Sequence, residues 1–207
     1  RRKTSTVHIG GVKLGSDYPI RLQSMTSTST MDTEGSVAQC KRICDAGADI
    51  VRLTAQGVRE ADNIGEIRSI LRKAGYCTPL VADIHFDWRM ALESVAAGVD
   101  KVRINPGNIG DDGRVREVAL ACKAKGVPIR IGVNSGSVEK DLLEKFGGAT
   151  PEAMVESAFR HVKLLEDCGF YDTVISIKSS DVENMVAAYS LVAERCDYPL
   201  HLGVTEA

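Results

Sequence analysis

Short runs of β-branched and aliphatic residues alternate along this chain with longer stretches whose apolar side chains recur every three to four positions. That rhythm predicts repeated βα units around a parallel sheet. An opening hairpin is expected first, with Val7 to Ile9 and Val12 to Leu14 flanking Gly10-Gly11. Strands are then expected near Ile20 to Met25, Ile50 to Leu53, Leu80 to Ile84, Lys101 to Ile104, Ile129 to Val133, Thr173 to Ile177 and Leu200 to Val204. Between them the periodicity predicts helices over Thr33 to Ala46, Arg59 to Ala74, Asp87 to Ala97, Asp112 to Lys125, Pro151 to Cys168 and Asp181 to Arg195, with a short extra helix from Val138 to Phe146. Gly47, Gly75, Gly98, Gly126 and Gly169 each follow such a stretch, where a left-handed residue ends a helix before the next strand.

The fold class expected from this order is α/β, a TIM-type (β/α)8 barrel preceded by a β-hairpin. With seven barrel strands and six crossover helices counted, the chain is expected to be one barrel domain over residues 1–207, truncated at its C-terminal end by a helix, a strand and a final helix. Its open edges would need covering.

In a barrel strand every second side chain points inward, and residues at the carboxyl ends line the mouth where barrel enzymes keep their sites. Those positions here are Arg52 and Thr54, Asp83 and His85, Arg103 and Asn105, Arg130 and Asn134, Ser176 and Lys178, then His201, Thr205 and Glu206. The residues between them, such as Leu53, Ile84, Val102, Ile131 and Ile175, are apolar and should face the helices. A parallel strand with both faces covered is ordinarily apolar throughout, so polar residues at nearly every inward position mark a site.

Charge sharpens that picture. The whole chain carries 26 basic and 28 acidic side chains, a net charge of only −2, so nothing global calls for nucleic acid or an anionic membrane as partner. Locally, Arg52, Arg103, Arg130 and Lys178 outnumber Asp83 and Glu206 by two, and a dianionic ligand would balance the surplus. Arginine forks suit phosphate oxygens, and the turn at Asn105-Pro106-Gly107-Asn108 before a helix offers backbone donors. The competing reading is a self-paired structural network. Asp83 and His85 can face one pocket as acid, base or hydrogen-bond donor; no third ligand is fixed beside them, so no metal is expected in this chain. His8 and His161 read as surface or structural residues.

The six cysteines, Cys40, Cys44, Cys77, Cys122, Cys168 and Cys196, form no C-x2-C pair and read as neither disulfide framework nor zinc site. No apolar run approaches the roughly 20 residues of a bilayer span, and the expected compartment is the cytoplasm or a plastid-type organelle.

The strings Gln23-Ser24-Met25-Thr26, Leu80-Val81-Ala82-Asp83-Ile84-His85-Phe86, Val102-Arg103-Ile104-Asn105-Pro106-Gly107-Asn108, Ile129-Arg130-Ile131-Gly132-Val133-Asn134 and His201-Leu202-Gly203-Val204-Thr205-Glu206-Ala207 occur in one order along the chain. Together they resemble the barrel domain of the 4-hydroxy-3-methylbut-2-enyl diphosphate synthases. The resemblance implies an oxidoreductase of isoprenoid biosynthesis that reductively opens 2-C-methyl-D-erythritol 2,4-cyclodiphosphate and eliminates water. It further implies a homodimer whose [4Fe-4S] cluster, fed by ferredoxin or flavodoxin, sits on a C-terminal domain absent from this chain. Carried over by motif, Arg52, Arg103, Arg130 and Lys178 would grip the diphosphate, Asn105 and Asn134 would orient it, Asp83 and His85 would line the pocket, and Glu206 would be the catalytic residue in water loss. The Thr54-Ala55-Gln56-Gly57 loop departs from the family's usual Val-Pro version. Two other readings remain: a pterin-type transferase similar to dihydropteroate synthase, and a noncatalytic module that binds phosphorylated metabolites.

Overall fold

A computed structural model describes residues 1–85, 87–105 and 109–203. The hairpin β1 (Val7–Ile9) and β2 (Val12–Leu14) is antiparallel, with Val7 opposite Leu14. Six strands then pair in parallel in chain order: β3 (Gln23–Met25), β4 (Ile50–Ala55), β5 (Leu80–Ile84), β6 (Lys101–Ile104), β7 (Ile129–Asn134) and β8 (Thr173–Lys178). The helices α1 (Thr33–Asp45), α2 (Val58–Lys73), α3 (Arg89–Ala96), α4 (Asp112–Lys125), α5 (Lys140–Phe146), α6 (Pro151–Asp167) and α7 (Val182–Arg195) cover the outer face. Sequential parallel neighbours joined by helices are the connectivity of a (β/α) barrel.

Local chemistry explains the boundaries. Asp32, Asp111, Thr150 and Asp181 each accept a backbone N–H at a helix start, and Pro151 occupies the first turn of α6 where its missing N–H costs nothing. At the other ends the five expected stop glycines all have positive φ, from 65 to 95°. The predicted elements shift by a residue or two: α3 begins at Arg89 rather than Asp87, and the extra helix begins at Lys140 after a 3-10 turn at Ser135–Ser137.

The expected seventh strand is corrected. Among the described residues the segment near 200 makes a single parallel bridge, Leu200 to Ile175, and Val204 lies outside them. Among the described residues the sheet is a six-stranded curl, and β3 also shortens to three residues, leaving Ile20 79% and Leu22 62% exposed at its edge.

Alternation fixes what each face does. Val51, Leu53, Leu80, Ala82, Ile84, Val102, Ile104, Ile129, Ile131, Ile175 and Ile177 point outward into the main apolar core against the helices. Inward, Ile50, Val81 and Val174 meet Val7 and Ile9 of the hairpin in a second, smaller cluster. The hairpin thus plugs one end of the barrel with apolar contacts, and the polar inward residues are left toward the other end.

Candidate functional site

Strand register assembles the inward polar residues. Arg52 aligns with Val81 and Val81 with Lys101; one inward step on, Thr54 aligns with Asp83, Asp83 with Arg103, and Arg103 with Arg130. Farther along, Gly132 aligns with Ser176 and Asn134 with Lys178. Because partners in register point to the same side of a sheet, one pocket receives charged groups from five consecutive strands.

Asp83 is the hub. Its Oδ1 accepts from Arg103 Nη1 at 3.1 Å, and its Oδ2 lies 3.5 Å from Arg52 Nε and 3.4 Å from His85 Nε2. Burial pulls the Asp83 carboxyl upward, but the hydrogen bond from His85 and the charges of Arg103 and Arg52 outweigh it and hold the acid well below the usual carboxylate range. Arg103 reaches onward to the Gly132 carbonyl at 3.4 Å, and Arg52 donates to Met25 Sδ at 2.8 Å. The self-paired network expected as the competing reading is thus real for two of the cations.

It does not extend to the third. Arg130 is fully buried, yet its Nε, Nη1 and Nη2 all lack a hydrogen-bond partner among the described residues. Burial, reinforced by Arg52 and Arg103, lowers its pKa to about 9, which still leaves a cation at neutral pH. Lys178, half-buried, is pushed down to about 8 by burial and by Arg52, Arg130 and Arg103. Four cations therefore face one carboxylate among the described residues, and five guanidinium donors on Arg130 are left for something else.

The two asparagines are held through a residue that the sequence reading passed over. Asn105, 5% exposed, donates Nδ2–H to Ser137 Oγ at 2.9 Å, while Ser137 Oγ donates to the Asn134 carbonyl at 3.1 Å. Asn134 Oδ1 is buried without a partner. Thr54 packs beside Thr30, whose hydroxyl donates to the Thr54 carbonyl at 2.8 Å, and Ser176 donates to the Ile131 carbonyl at 3.4 Å; these read as strand supports. His201 lies within electrostatic reach of Arg130, Lys101, Arg52 and Lys178. It lines a cavity of about 460 Å³ on the barrel's open flank with Gln23, Lys101, Arg1 and Arg2, and burial together with Arg130 and Lys101 pushes its imidazole down to about 2. The expected turn residues Pro106 to Asn108, together with Phe86, Thr205 and Glu206, lie outside the described residues.

Two further residues escaped the sequence reading. Lys101 is 1% exposed inside the barrel, and its place two before Arg103 was a period-two signal. Gly132 is the other: a Cβ there would meet Arg103 Nε at 2.5 Å, so the glycine gives the guanidinium its room. The cysteines fit packing instead. Cys40 and Cys122 are buried in the core, their thiols pushed up to about 12 by burial. No group of three or more His, Cys, Asp or Glu among the described residues is placed to hold a metal. The donor set present does not fit an iron–sulfur cluster.

A family profile described as the GcpE TIM-barrel domain matches residues 4–207. The chain belongs to that family. Relatives agree: "4-hydroxy-3-methylbut-2-en-1-yl diphosphate synthase (flavodoxin)" of Ruminiclostridium cellulolyticum is 53% identical over 207 residues, all of this chain and 57% of the relative. The protein of the same name from Acidithiobacillus ferrooxidans is also 53% identical, with 55% of its length covered. The chain spans about half the length of the curated relatives it matches. Among solved structures, a type I 3-dehydroquinate dehydratase of Clostridium difficile aligns with TM-score 0.71 at 15% identity, covering 98% of this chain and 81% of that one. A dihydropteroate synthase of Xanthomonas albilineans aligns with TM-score 0.62 at 16% identity, covering 98% and 93%. At those identities the GcpE-type chain shares their barrel fold and nothing finer. No helix among the described residues is long and apolar enough to cross a membrane.

Proposed function

We propose that this GcpE-type barrel binds the cyclic diphosphate substrate of a two-electron reductase that converts 2-C-methyl-D-erythritol 2,4-cyclodiphosphate into 4-hydroxy-3-methylbut-2-enyl diphosphate and water. The observation that carries the reading is the wholly buried Arg130 guanidinium with no hydrogen bond on any nitrogen among the described residues, beside Arg52, Arg103 and Lys178 and one described carboxylate. A cyclic diphosphate carries one ionised oxygen on each phosphorus, so its two charges and paired acceptors offset two of the three excess cations, with Arg130 and Arg103 as the principal donors.

In this reading Asp83 keeps Arg52 and Arg103 extended toward the ligand rather than touching it. Asn105, whose side chain donates to Ser137, and Asn134, whose backbone Ser137 holds, orient the carbon skeleton, and Asn134 Oδ1, without a partner among the described residues, accepts a ligand hydroxyl. His85 lines the same pocket, and Glu206 takes part in the proton transfer of water loss. The relatives' printed name supports flavodoxin as electron donor. The reducing [4Fe-4S] centre is supplied outside these 207 residues, by a homodimer in which a barrel faces its partner's cluster domain. The compartment is the cytoplasm.

Calorimetry on the full-length protein tests this directly. The cyclodiphosphate should bind with an affinity that falls steeply with salt, and Arg103→Ala should weaken it by about tenfold to a few hundredfold without changing the fold. Undetectable binding by the wild type, or an unchanged constant in Arg103→Ala, sinks the proposal.

A further inference from the structure

Lys101 begins β6 and points into the barrel, 1% exposed. Its ammonium nitrogen makes one hydrogen bond, to Gln23 Oε1 at 3.1 Å, and it joins no ion pair among the described residues. Its charged neighbours are Arg130 on β7 and Arg52 on β4. The cavity it shares with Gln23 brings in Arg1, Arg2, His201 and Arg21, the last paired with Asp49 at 3.3 Å, and no carboxylate among the described residues lines that cavity. The hairpin contributes only Leu14, Gly15 and Ser16 to it. A buried ammonium ringed by cations and facing a neutral amide has nothing to offset its desolvation, and such a group neutralises instead of staying charged. Burial, with Arg130 and Arg52, accordingly pulls its pKa well below the ordinary lysine value.

The balance reverses when an anion arrives. Two negative charges placed against Arg130 and Arg52 cancel the repulsion those groups exert on Lys101 and add an attraction in a low-dielectric interior, where charges a few ångströms apart interact strongly. We propose that Lys101 rests as a neutral amine and takes up one proton from solvent when a polyanion enters the mouth, so that anion binding by the barrel is coupled to protonation at Lys101. The inference rests on the anion-binding reading of the mouth and adds a linkage which that reading does not contain. Gln23 is the positioning partner: its carbonyl oxygen accepts from the amine in either state, and the flanking cavity is the route by which the proton reaches it.

The test is titration of the full-length protein with sulfate, a dianion that does not itself titrate near neutrality, by calorimetry in buffers of different ionisation enthalpy at pH 7.5. Wild type should take up about one proton per sulfate bound, and Lys101→Met should lose most of that uptake while Lys178 remains to supply any residue of it. Lys101→Gln, which keeps a polar group against Gln23, should behave as Lys101→Met does. Sulfate binding without net uptake in wild type, or wild-type uptake retained in the two variants, overturns the coupling and leaves the mouth as an anion site. Failure of sulfate to bind wild type at all overturns both.

Discussion

Replacing Gly132 by alanine tests whether Arg103 is held as tightly as the distances imply. The added Cβ would stand 2.5 Å from Arg103 Nε, 3.0 Å from Nη2 and 3.1 Å from Cζ, and the whole guanidinium is buried. Real carbon contacts do not fall below about 3.0 Å, so the head group must retreat by several tenths of an ångström, which strains its 3.1 Å bond to Asp83 Oδ1 and its 3.4 Å bond to the Gly132 carbonyl. Overpacking of this kind costs about 1–3 kcal/mol of stability. A displaced charge-assisted hydrogen bond to the ligand is worth about 1.5–3 kcal/mol, which is roughly ten- to 150-fold in affinity. Thermal unfolding and pyrophosphate titration of full-length Gly132→Ala should therefore show both losses together. Wild-type affinity in Gly132→Ala would mean that Arg103 does not touch the anion where the register puts it.

Three other outcomes follow from the same geometry. Asp83 has a folded-state pKa below its unfolded value, so the unfolded chain binds more protons between the two; its contribution is full above about pH 4 and fades as the pH falls through the folded pKa. Melting curves of Asp83→Asn should accordingly be lower than wild type at pH 7 and flatter in acid, and an identical pH profile would refute the hub role. Ser137→Ala frees Asn105 and Asn134 at once, and at one ordinary hydrogen bond the loss in ligand affinity should be about two- to tenfold, with no change if the asparagines do not meet the ligand. Lys178, with its pKa brought down to about 8, loses its charge as the pH rises through that value; anion affinity should drop between pH 7 and 9 in wild type and drop less steeply in Lys178→Arg, where only the coupling to Lys101 remains.

Most of the architecture was legible because the strands state both faces at once. In Val102-Arg103-Ile104-Asn105 the apolar pair faces helices and the polar pair faces the barrel, and the structure follows that alternation residue by residue. Helix ends were equally legible, since glycine at a left-handed stop carries a local signal. What escaped depended on distant neighbours. A lysine at the first position of a strand reads as a solvated end, and only the hairpin beneath it and the sheet around it bury Lys101. Gly132 matters through an arginine 29 positions away, and Ser137 through Asn105 on the neighbouring strand's end. His201 was read from a full seventh strand; among the described residues a single bridge at Leu200 carries it, and its ring lines the flank cavity within reach of Arg130 and Lys178.

Arg130→Met gives the most direct test of the claim that this barrel stores an unbalanced cation for an anionic ligand. Replacing a buried, unpartnered charge by an apolar chain of similar length should raise the apo protein's stability by about 1–4 kcal/mol, while anion affinity in the full-length protein falls by at least about 30-fold. Both changes read from one set of melting curves, with and without pyrophosphate, would support the account. A variant that melts lower than wild type and still binds pyrophosphate normally would contradict it.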